Sequence, residues 1–201
     1  MIAALSRASR NPLLNVPANF YIWFFRGTPV LLQIIFLFNA VKIDVFMVAL
    51  IALSLNEGAY MSEIVRAGIE SVDKGQMEAA QSLGMTYGLA MRRIVLPQAL
   101  RVIIPPTGNE FINMLKTSSL ASAISLTELL QSAGNIYSTN LFTLELLTVA
   151  AFYYLVLTTV FSIGQAWLES RLGDRRARYV SQGSLFTRLT TALSLGATVR
   201  R

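Results

Sequence analysis

The sequence predicts an all-α protein that crosses a lipid bilayer several times. Of its 201 residues, 54% are hydrophobic and 14% are charged, whereas about a quarter of the residues in a typical soluble domain are charged. Residues 146–168 contain no Asp, Glu, Lys or Arg, and a helix of that length spans a bilayer. Basic residues cluster in a middle stretch and after residue 170, as expected for segments on the cytoplasmic side of a membrane.

The first two predicted spans lie in the N-terminal third. Residues 7–26 mix arginines with Tyr, Trp and Phe, a composition typical of chain at the headgroup level. Residues 27–41 are uncharged and are predicted to form a short span. After a tight turn at 42–44, an apolar helix starts at Val45 and continues through several charged residues to about Arg66.

Two further spans are predicted after the middle of the chain. Residues 102–127 are expected to form a helix that is broken early, because Pro105, Pro106 and Gly108 interrupt it. Residues 131–140 are polar and are expected to form a loop on the outer face. The last span is the uncharged run 146–168.

Residues 71–101 separate the two pairs of spans and are rich in Lys, Glu and Arg. They are predicted to form a cytoplasmic loop that contains short helices. Several arginines follow the last span, so the C-terminus is also expected to be cytoplasmic. The predicted organisation is a membrane domain over residues 1–172 and a basic cytoplasmic tail of unknown role over residues 173–201.

Composition also excludes several kinds of chemistry. The chain has no histidine and no cysteine, which removes His-dependent triads and most metal sites. It contains no G-x-x-x-x-G-K-[ST] phosphate-binding loop. The formal charge of +6 is not interleaved with aromatic residues as in a nucleic-acid-binding groove. We therefore predict no catalytic residue, metal ligand or cofactor in this chain, and no nucleic-acid partner.

A spaced motif lies inside the middle loop. The pattern predicts a short helix over residues 77–83 that stops at Gly84, because glycine accepts the left-handed conformation of a helix end. A second helix is predicted to resume after Thr86. By themselves these features also fit an amphipathic interfacial hairpin without a partner. The residues at the spaced positions are Glu78, Ala79, Ala80, Gly84, Ile94, Leu96 and Pro97.

This spacing resembles the EAA signature of membrane permeases in binding-protein-dependent ATP-binding-cassette (ABC) importers. The resemblance implies that the loop docks on a separate ATPase. Glu78 would then meet a basic group or a helix N-terminus, and the small Ala79 and Ala80 would allow close approach. It also implies a second permease subunit, identical or related, two ATP-binding subunits that hold ATP and magnesium, and an extracytoplasmic solute-binding protein. The expected location is the bacterial inner membrane.

Further segments resemble the subfamily that imports polar amino acids. They are FFRGTP at residues 24–29, NEGAY and EIVRAG within residues 56–68, and KTSSL at residues 116–120. The resemblance covers approximately residues 6–172. Members of the family usually carry one more membrane helix before residue 7, so the first helix is expected to be missing here.

A polar stripe in the third predicted span suggests a substrate route. Asn109, Asn113 and Lys116 recur at the spacing of one helical face. Together with Glu57 and Ser119 they would offer an amino acid both signs of charge and hydrogen bonds. The alternative is that Glu57, Glu110 and Lys116 form structural ion pairs between helices or subunits.

A second group of charges lies on the second predicted span. Glu63 and Arg66 are spaced for a helical ion pair. We assign them a structural or gating role.

Two other functions account for parts of the sequence. An ion-coupled secondary transporter of small polar solutes also uses broken helices and intramembrane carboxylates, but it leaves the EAA spacing unexplained. A membrane enzyme would need a base for Ser118, Ser119 or Ser122, and no histidine is available.

Overall fold

The computed structural model describes residues 12–172, which contain helices and turns and no strand. A π-helix (Met91–Val95) and a 3₁₀ helix (Ser118–Ile124) interrupt the α-helices. The α-helices are α1 (Pro12–Gly27), α2 (Val30–Ala40), α3 (Val45–Glu70), α4 (Lys74–Ser82), α5 (Tyr87–Ala90), α6 (Leu96–Thr117), α7 (Leu129–Asn140) and α8 (Thr143–Leu172).

A sharp break separates α1 from α2. The two helices meet at 107°, and Pro29, with its extended backbone, stands at the start of α2. Each helix end leaves backbone carbonyl or N–H groups without partners in the helix. Inside a membrane no water satisfies such groups, so the protein has to supply the hydrogen bonds itself.

Two amide side chains supply these hydrogen bonds. Gln33 is buried, and its Nε2 donates to the carbonyl oxygens of Phe25 at 3.0 Å and Thr28 at 3.1 Å. Asn56 of α3 donates through Nδ2 to the same Phe25 oxygen at 2.8 Å and to Gln33 Oε1 at 3.1 Å. We call Gln33, Asn56, Phe25 and Thr28 the bend network. It fixes the break between α1 and α2 against α3.

Small residues allow the other helices to approach α3 closely. A Cβ atom on Gly68 would overlap the Ile103 side chain of α6 and lie 3.4 Å from the Ala99 carbonyl oxygen. A Cβ atom on Gly58 would lie 2.7 Å from the Tyr21 hydroxyl of α1. That hydroxyl donates to the Leu55 carbonyl oxygen at 2.6 Å. The α3 helix is therefore the central element against which α1 and α6 pack.

The hydrophobic core lies where α2, the first half of α3 and the 3₁₀ helix meet. Partly buried leucines and valines pack against it. Its buried members are Ile34, Val48, Ala49, Ala52, Ala121 and Ile124.

Two helices of the described residues are long and apolar enough to cross a membrane, namely Val45–Glu70 and Thr143–Arg171. A third crossing is possible if the bent pair α1 and α2 forms one span. The predicted short span at residues 27–41 contains α2, which has 11 residues and reaches only about 16 Å, so it is long enough to cross a membrane only together with α1. The helix α6 has 22 residues, but its charged and amide side chains make it too polar to belong to this apolar set.

The interior of the third predicted span also differs from expectation. Helix α6 runs through Pro105 and Pro106 without ending, so the predicted early break is wrong. The helix ends instead at Thr117, and the 3₁₀ helix that follows stops at Ser125, which has a left-handed φ of 61°. Next to the prolines, the Thr107 hydroxyl donates to the Ile103 carbonyl oxygen at 2.8 Å.

The prediction that the polar stretch 131–140 forms a loop is wrong, because this stretch lies in helix α7. Glu128 caps that helix by accepting from the backbone N–H groups of Leu130 at 2.9 Å and Gln131 at 2.7 Å. The Tyr154 hydroxyl of α8 donates to the same carboxylate at 2.9 Å. The cap stabilises a helix whose composition alone indicates a turn.

The prediction of two short helices around Gly84 is confirmed. Asp73 accepts from the Gly75 N–H at 2.7 Å at the start of α4. At its end, Gly84 N–H donates to the Gln81 oxygen at 2.9 Å and Met85 N–H donates to the Ala80 oxygen at 3.1 Å, the paired bonds of a Schellman motif. Gly84 has a φ of 82°. The bend between α4 and α5 is therefore a defined turn.

The last helix continues past residue 163, where the first of two compact units ends. In the described residues after 163, Gln165 Nε2 donates to Glu169 Oε1 at 2.8 Å, and the Arg171 guanidinium lies 5.0 Å from the centre of the Trp167 ring. The predicted tail 173–201 lies outside the described residues.

We expect Gln33→Leu to destabilise the fold. The substitution removes the donor to Thr28 and the acceptor for Asn56, and each buried group left unsatisfied costs about 1–3 kcal/mol. The midpoint of thermal unfolding in detergent should fall. The matched control is Asn39→Leu, since Asn39 is exposed on the same helix and bonds only within it, to the Ile35 oxygen. Equal midpoints for the two variants would contradict the proposed role of the bend network.

We expect Gly84→Ala to loosen the turn after α4. A residue with a Cβ atom is disfavoured by roughly 1–2 kcal/mol in the left-handed region. Hydrogen exchange of the backbone amides at positions 84 and 85 should accelerate in the variant. Gly88→Ala is the control, because Gly88 is helical, has open space around it, and gains helix propensity. Unchanged exchange in Gly84→Ala would show that the turn does not depend on glycine.

Candidate functional site

A cavity of about 450 Å³ lies between the break after α1, helix α3 and helix α6. Its size falls in the range of small-molecule sites. Its charged residues are Arg26, Glu57 and Glu110, one from each of these helices. Its neutral polar side chains include Asn56, Tyr60, Asn113 and Thr117. The cavity therefore presents both signs of charge and several hydrogen-bonding groups inside the helical unit.

The break in the first helix pair also builds one wall of this cavity. Gly27, Thr28, Pro29 and Val30 all line it. Because the bend network holds these residues against α3, the wall has a defined position. Asn56 belongs both to the network and to the lining.

A chain of ion pairs begins at the edge of the cavity. Arg26 lies 3.7 Å from Glu63 Oε2, and Arg66 donates to the same oxygen at 2.9 Å. Arg66 also pairs with the exposed Glu70 at 2.6 Å. The predicted pair between Glu63 and Arg66 is thus present, as part of a longer chain. Its gating role stays a prediction.

Arg26 has a second contact that fixes its position. Its guanidinium lies 5.3 Å from the centre of the Tyr60 ring, within the range of a cation–π interaction. Arg26 and Tyr60 both line the cavity, whereas Glu63 does not. The guanidinium therefore stands between the cavity and the ion pair.

The structure brings together only some residues of the predicted substrate route. Glu57 and Asn113 share the cavity. Asn109 and Lys116 are exposed on α6 and are not part of its lining. The Ser119 hydroxyl donates to the Lys116 oxygen at 2.7 Å. In residues 12–172, no ion pair engages Glu57, Glu110 or Lys116, so the alternative of structural ion pairs within one chain is not supported.

The residues of the EAA motif divide into two groups. Glu78, Ala79, Gly84 and Pro97 are exposed, as a docking surface requires. Ala80 is 1% exposed and Leu96 is half-buried. The chain itself covers the Ala80 side chain, and the close approach of a partner at Ala80 stays a prediction.

Two apolar side chains next to the motif were not singled out from the sequence. Leu83 is 83% exposed and Tyr87 is 61% exposed, one on each side of Gly84. Their place beside a helix-ending glycine was the available signal, since a bend turns its flanking side chains outward. They extend the candidate docking surface around Glu78.

Sequence reasoning also missed Arg26, Tyr60 and Thr117 as cavity residues, and treated Glu110 as structural. The signal was present for the charged residues, because charges inside apolar spans face protein or water. Tyr60 and Thr117 carry no such signal.

Comparison with known families gives a match over most of the chain. Residues 1–174 match the family described as binding-protein-dependent transport system inner membrane component. The arginine transport system permease protein ArgU of Corynebacterium glutamicum is 42% identical over 98% of this chain and 65% of its own length. This chain thus spans less than two thirds of that relative.

Two relatives from Bacillus subtilis are similar at comparable identity. The probable glutamine ABC transporter permease protein GlnM is 43% identical over 76% of this chain and 73% of its own length. The L-cystine transport system permease protein TcyB is 44% identical over 90% of this chain and 79% of its own length.

Two solved structures of ABC transporters are similar to this chain in fold. The crystal structure of an amino acid ABC transporter with histidines matches with a TM-score of 0.80 and 40% identity, over 84% of this chain and 81% of that chain. The MetNI methionine ABC transporter matches with a TM-score of 0.72, over 85% of this chain and 84% of that chain. At 15% identity this second likeness shows the fold alone.

These relatives do not favour the ion-coupled secondary transporter. The fold is helical, residues 74–90 form an exposed helix, bend and second helix, and residues 1–174 match the family. This chain therefore belongs to the binding-protein-dependent transport system inner membrane component family, as a membrane protein related to amino acid ABC transporter permeases.

Proposed function

We propose that this chain is the membrane-spanning subunit of an ABC importer that moves polar amino acids across the bacterial inner membrane. A separate subunit hydrolyses the ATP, and the chain itself holds no cofactor. The observation that carries the proposal is the exposed bend between α4 and α5, which a Schellman motif at Gly84 holds. Relatives named as arginine, glutamine and L-cystine permeases support amino acids as the substrates.

The bend has the properties of a coupling element. A segment that transmits force between subunits must keep its shape, and here the Asp73 cap and the Schellman motif fix both ends of α4. It must also offer groups to a partner, and Glu78, Leu83 and Tyr87 are exposed. The buried Ala80 anchors the same helix to its own chain. We therefore assign ATPase contact to the exposed residues of the motif and an anchoring role to Ala80.

Charge supports a cytoplasmic position for this loop. Lys74, Arg92, Arg93 and Arg101 are all exposed in or beside it, as the positive-inside rule expects. If α6 leads outward and α8 returns, the C-terminus lies on the cytoplasmic side as well. Helix α8 has no charged residue between Glu145 and Glu169 and carries Arg171 in its last turn, which fits this direction.

The partners follow from the same proposal. The loop contacts an ATP-binding subunit, which holds ATP and magnesium, and one such subunit serves each of two permease subunits. The second permease is an identical or a related chain. A solute-binding protein delivers the amino acid from outside.

The cavity between α1, α3 and α6 is the proposed entry to the substrate route. Glu57 and Asn113 line it. Asn109 and Lys116 lie exposed on α6, and lipid is a poor neighbour for polar groups at membrane depth. We assign Asn109, Lys116 and Ser119 to a continuation of the route that faces the second permease subunit.

We expect Glu78→Lys to uncouple transport from ATP hydrolysis. A carboxylate at a docking surface meets a basic group, and reversing its charge replaces attraction by repulsion. Substrate-stimulated ATP hydrolysis by the reconstituted complex should fall by about tenfold or more. Glu145→Lys is the control, since Glu145 is exposed on α8, outside the loop. Equal ATPase rates in the two variants would contradict a coupling role for Glu78.

Uptake that survives loss of the ATPase but not loss of an ion gradient would overturn the importer proposal.

We expect Lys116→Met to weaken uptake. Removing one ammonium group from the route should raise the apparent KM for uptake by about tenfold, as loss of a charge-assisted hydrogen bond would. Lys42→Met, at the exposed turn before α3, should leave KM unchanged. An unchanged KM in a well-assembled Lys116→Met complex would remove Lys116 from the substrate route.

A further inference from the structure

We propose that the corner between α7 and α8 inserts into the bilayer interface, where Leu141, Phe142 and Leu144 reach the acyl chains of the lipid. This corner lies outside both the cavity and the exposed bend between α4 and α5. Its role depends only on α8 spanning a membrane, whichever face of the membrane the corner occupies.

Three large apolar side chains are exposed together at this corner. Leu141 is 85% exposed, Phe142 is 61% exposed and Leu144 is 78% exposed. Every residue from 138 to 145 is exposed, so no other part of residues 12–172 covers these three side chains. Large apolar groups that stand together on a surface mark a contact with lipid or with another protein.

The backbone at Leu141 is strained. Leu141 ends α7 with a left-handed φ of 61°, and its N–H donates to the Tyr137 oxygen at 2.9 Å. Glycine or asparagine usually takes this position, because a Cβ atom is disfavoured in the left-handed region. Such strain persists where another interaction compensates it. The exposed Leu141 side chain finds no such burial within residues 12–172, and transfer of an apolar side chain out of water would provide it.

Continuity with α8 favours lipid as the partner. Helix α8 is long and apolar enough to cross a membrane, and only 6% of its most apolar stretch is buried. Leu144 and Leu155 are separated by about three helical turns and therefore lie on the same face of α8. Leu155 is exposed as well. The corner is thus the end of an apolar strip that runs along a membrane-spanning helix.

The hydroxyl groups beside the corner already have hydrogen-bond partners. The Ser138 hydroxyl donates to the Asn135 oxygen at 2.9 Å. The Thr139 hydroxyl donates to the Ile136 oxygen at 2.8 Å. A polar group that is hydrogen-bonded within its own helix costs less to move out of water than an unsatisfied one. The last turn of α7 can therefore lie against the membrane surface.

Charge limits how deeply the corner inserts. Residues 117–170 contain no Lys or Arg, and Glu145 is the charged residue nearest in sequence to the three apolar side chains. A carboxylate is costly in hydrocarbon, and in the first turn of α8 it is stabilised by the helix dipole. Glu145 therefore stays at the headgroup level, and the corner enters only the outermost part of the acyl chains.

The chain contains no cysteine, so a single introduced cysteine can carry a nitroxide spin label at one known position. Phe142→Cys and Leu144→Cys place the label at the corner. Asn135→Cys and Ser138→Cys are the controls, since both positions are polar and exposed on α7. The full-length chain is labelled and then assembled with its ATPase in nanodiscs of phosphatidylcholine and phosphatidylglycerol.

The depth of each label is measured from its accessibility to oxygen, which concentrates in lipid, and to a nickel chelate, which stays in water. We expect both corner labels to lie about 5–10 Å below the lipid phosphates. Both control labels should lie at or above the phosphates. Two corner positions are used because one variant could fail to assemble, and the thermal unfolding midpoint of each variant reports assembly.

Each outcome decides between lipid, water and protein as the surroundings of the corner. Corner labels below the phosphates in assembled variants support the insertion. Corner labels that favour the nickel chelate overturn it, because the corner then stands in water. Labels that neither reagent reaches also overturn it, because a protein surface such as the second permease subunit then covers the corner. Labels that lie in water until a solute-binding protein is added overturn it as well and assign the surface to that protein.

Discussion

The hydrogen bonds that Gln33 and Asn56 give to the backbone at the break after α1 hold the rest of the structure in place. A helix broken inside a membrane leaves carbonyl groups that neither lipid nor the helix can satisfy. Gln33 and Asn56 reach them from α2 and α3 and bond to each other. Because the broken segment also forms a wall of the cavity, the same few bonds position the site. A fold with a straight first helix would lack that wall.

Much of this architecture could be predicted from residue patterns, and the predictions that are wrong have physical causes. The start of α3 at Val45 and the bend at Gly84 follow from local signals, namely a capping aspartate and a left-handed glycine. The helix over 129–140 was missed because its stability comes from a cap, Glu128, whose hydroxyl donor Tyr154 lies 26 residues away. The continuity of α6 through Pro105 and Pro106 shows that propensity yields to tertiary packing.

The candidate site was predictable only in part. Charges within apolar segments direct attention to Glu57, Glu63 and Arg66, but periodicity along one helix cannot show which other helix they face. The cavity combines residues from α1, α3 and α6, which are far apart in the chain. The stripe on α6 includes Asn113, which lines the cavity, and Lys116, which is not part of the lining. Exposure likewise distinguishes Ala79 from its buried neighbour Ala80, a difference that spacing alone does not reveal.

The π-helix at Met91–Val95 joins the loop to α6 without a break in the chain of helices. A π-turn contains one residue more than an α-turn, and one residue corresponds to about 100° of rotation around a helix axis. The π-helix therefore sets the rotational phase between Tyr87 on the loop side and Glu110 on the cavity side. A chain shortened by one residue in this segment would keep its hydrophobic length, yet it would turn the cavity face of α6 away from α3.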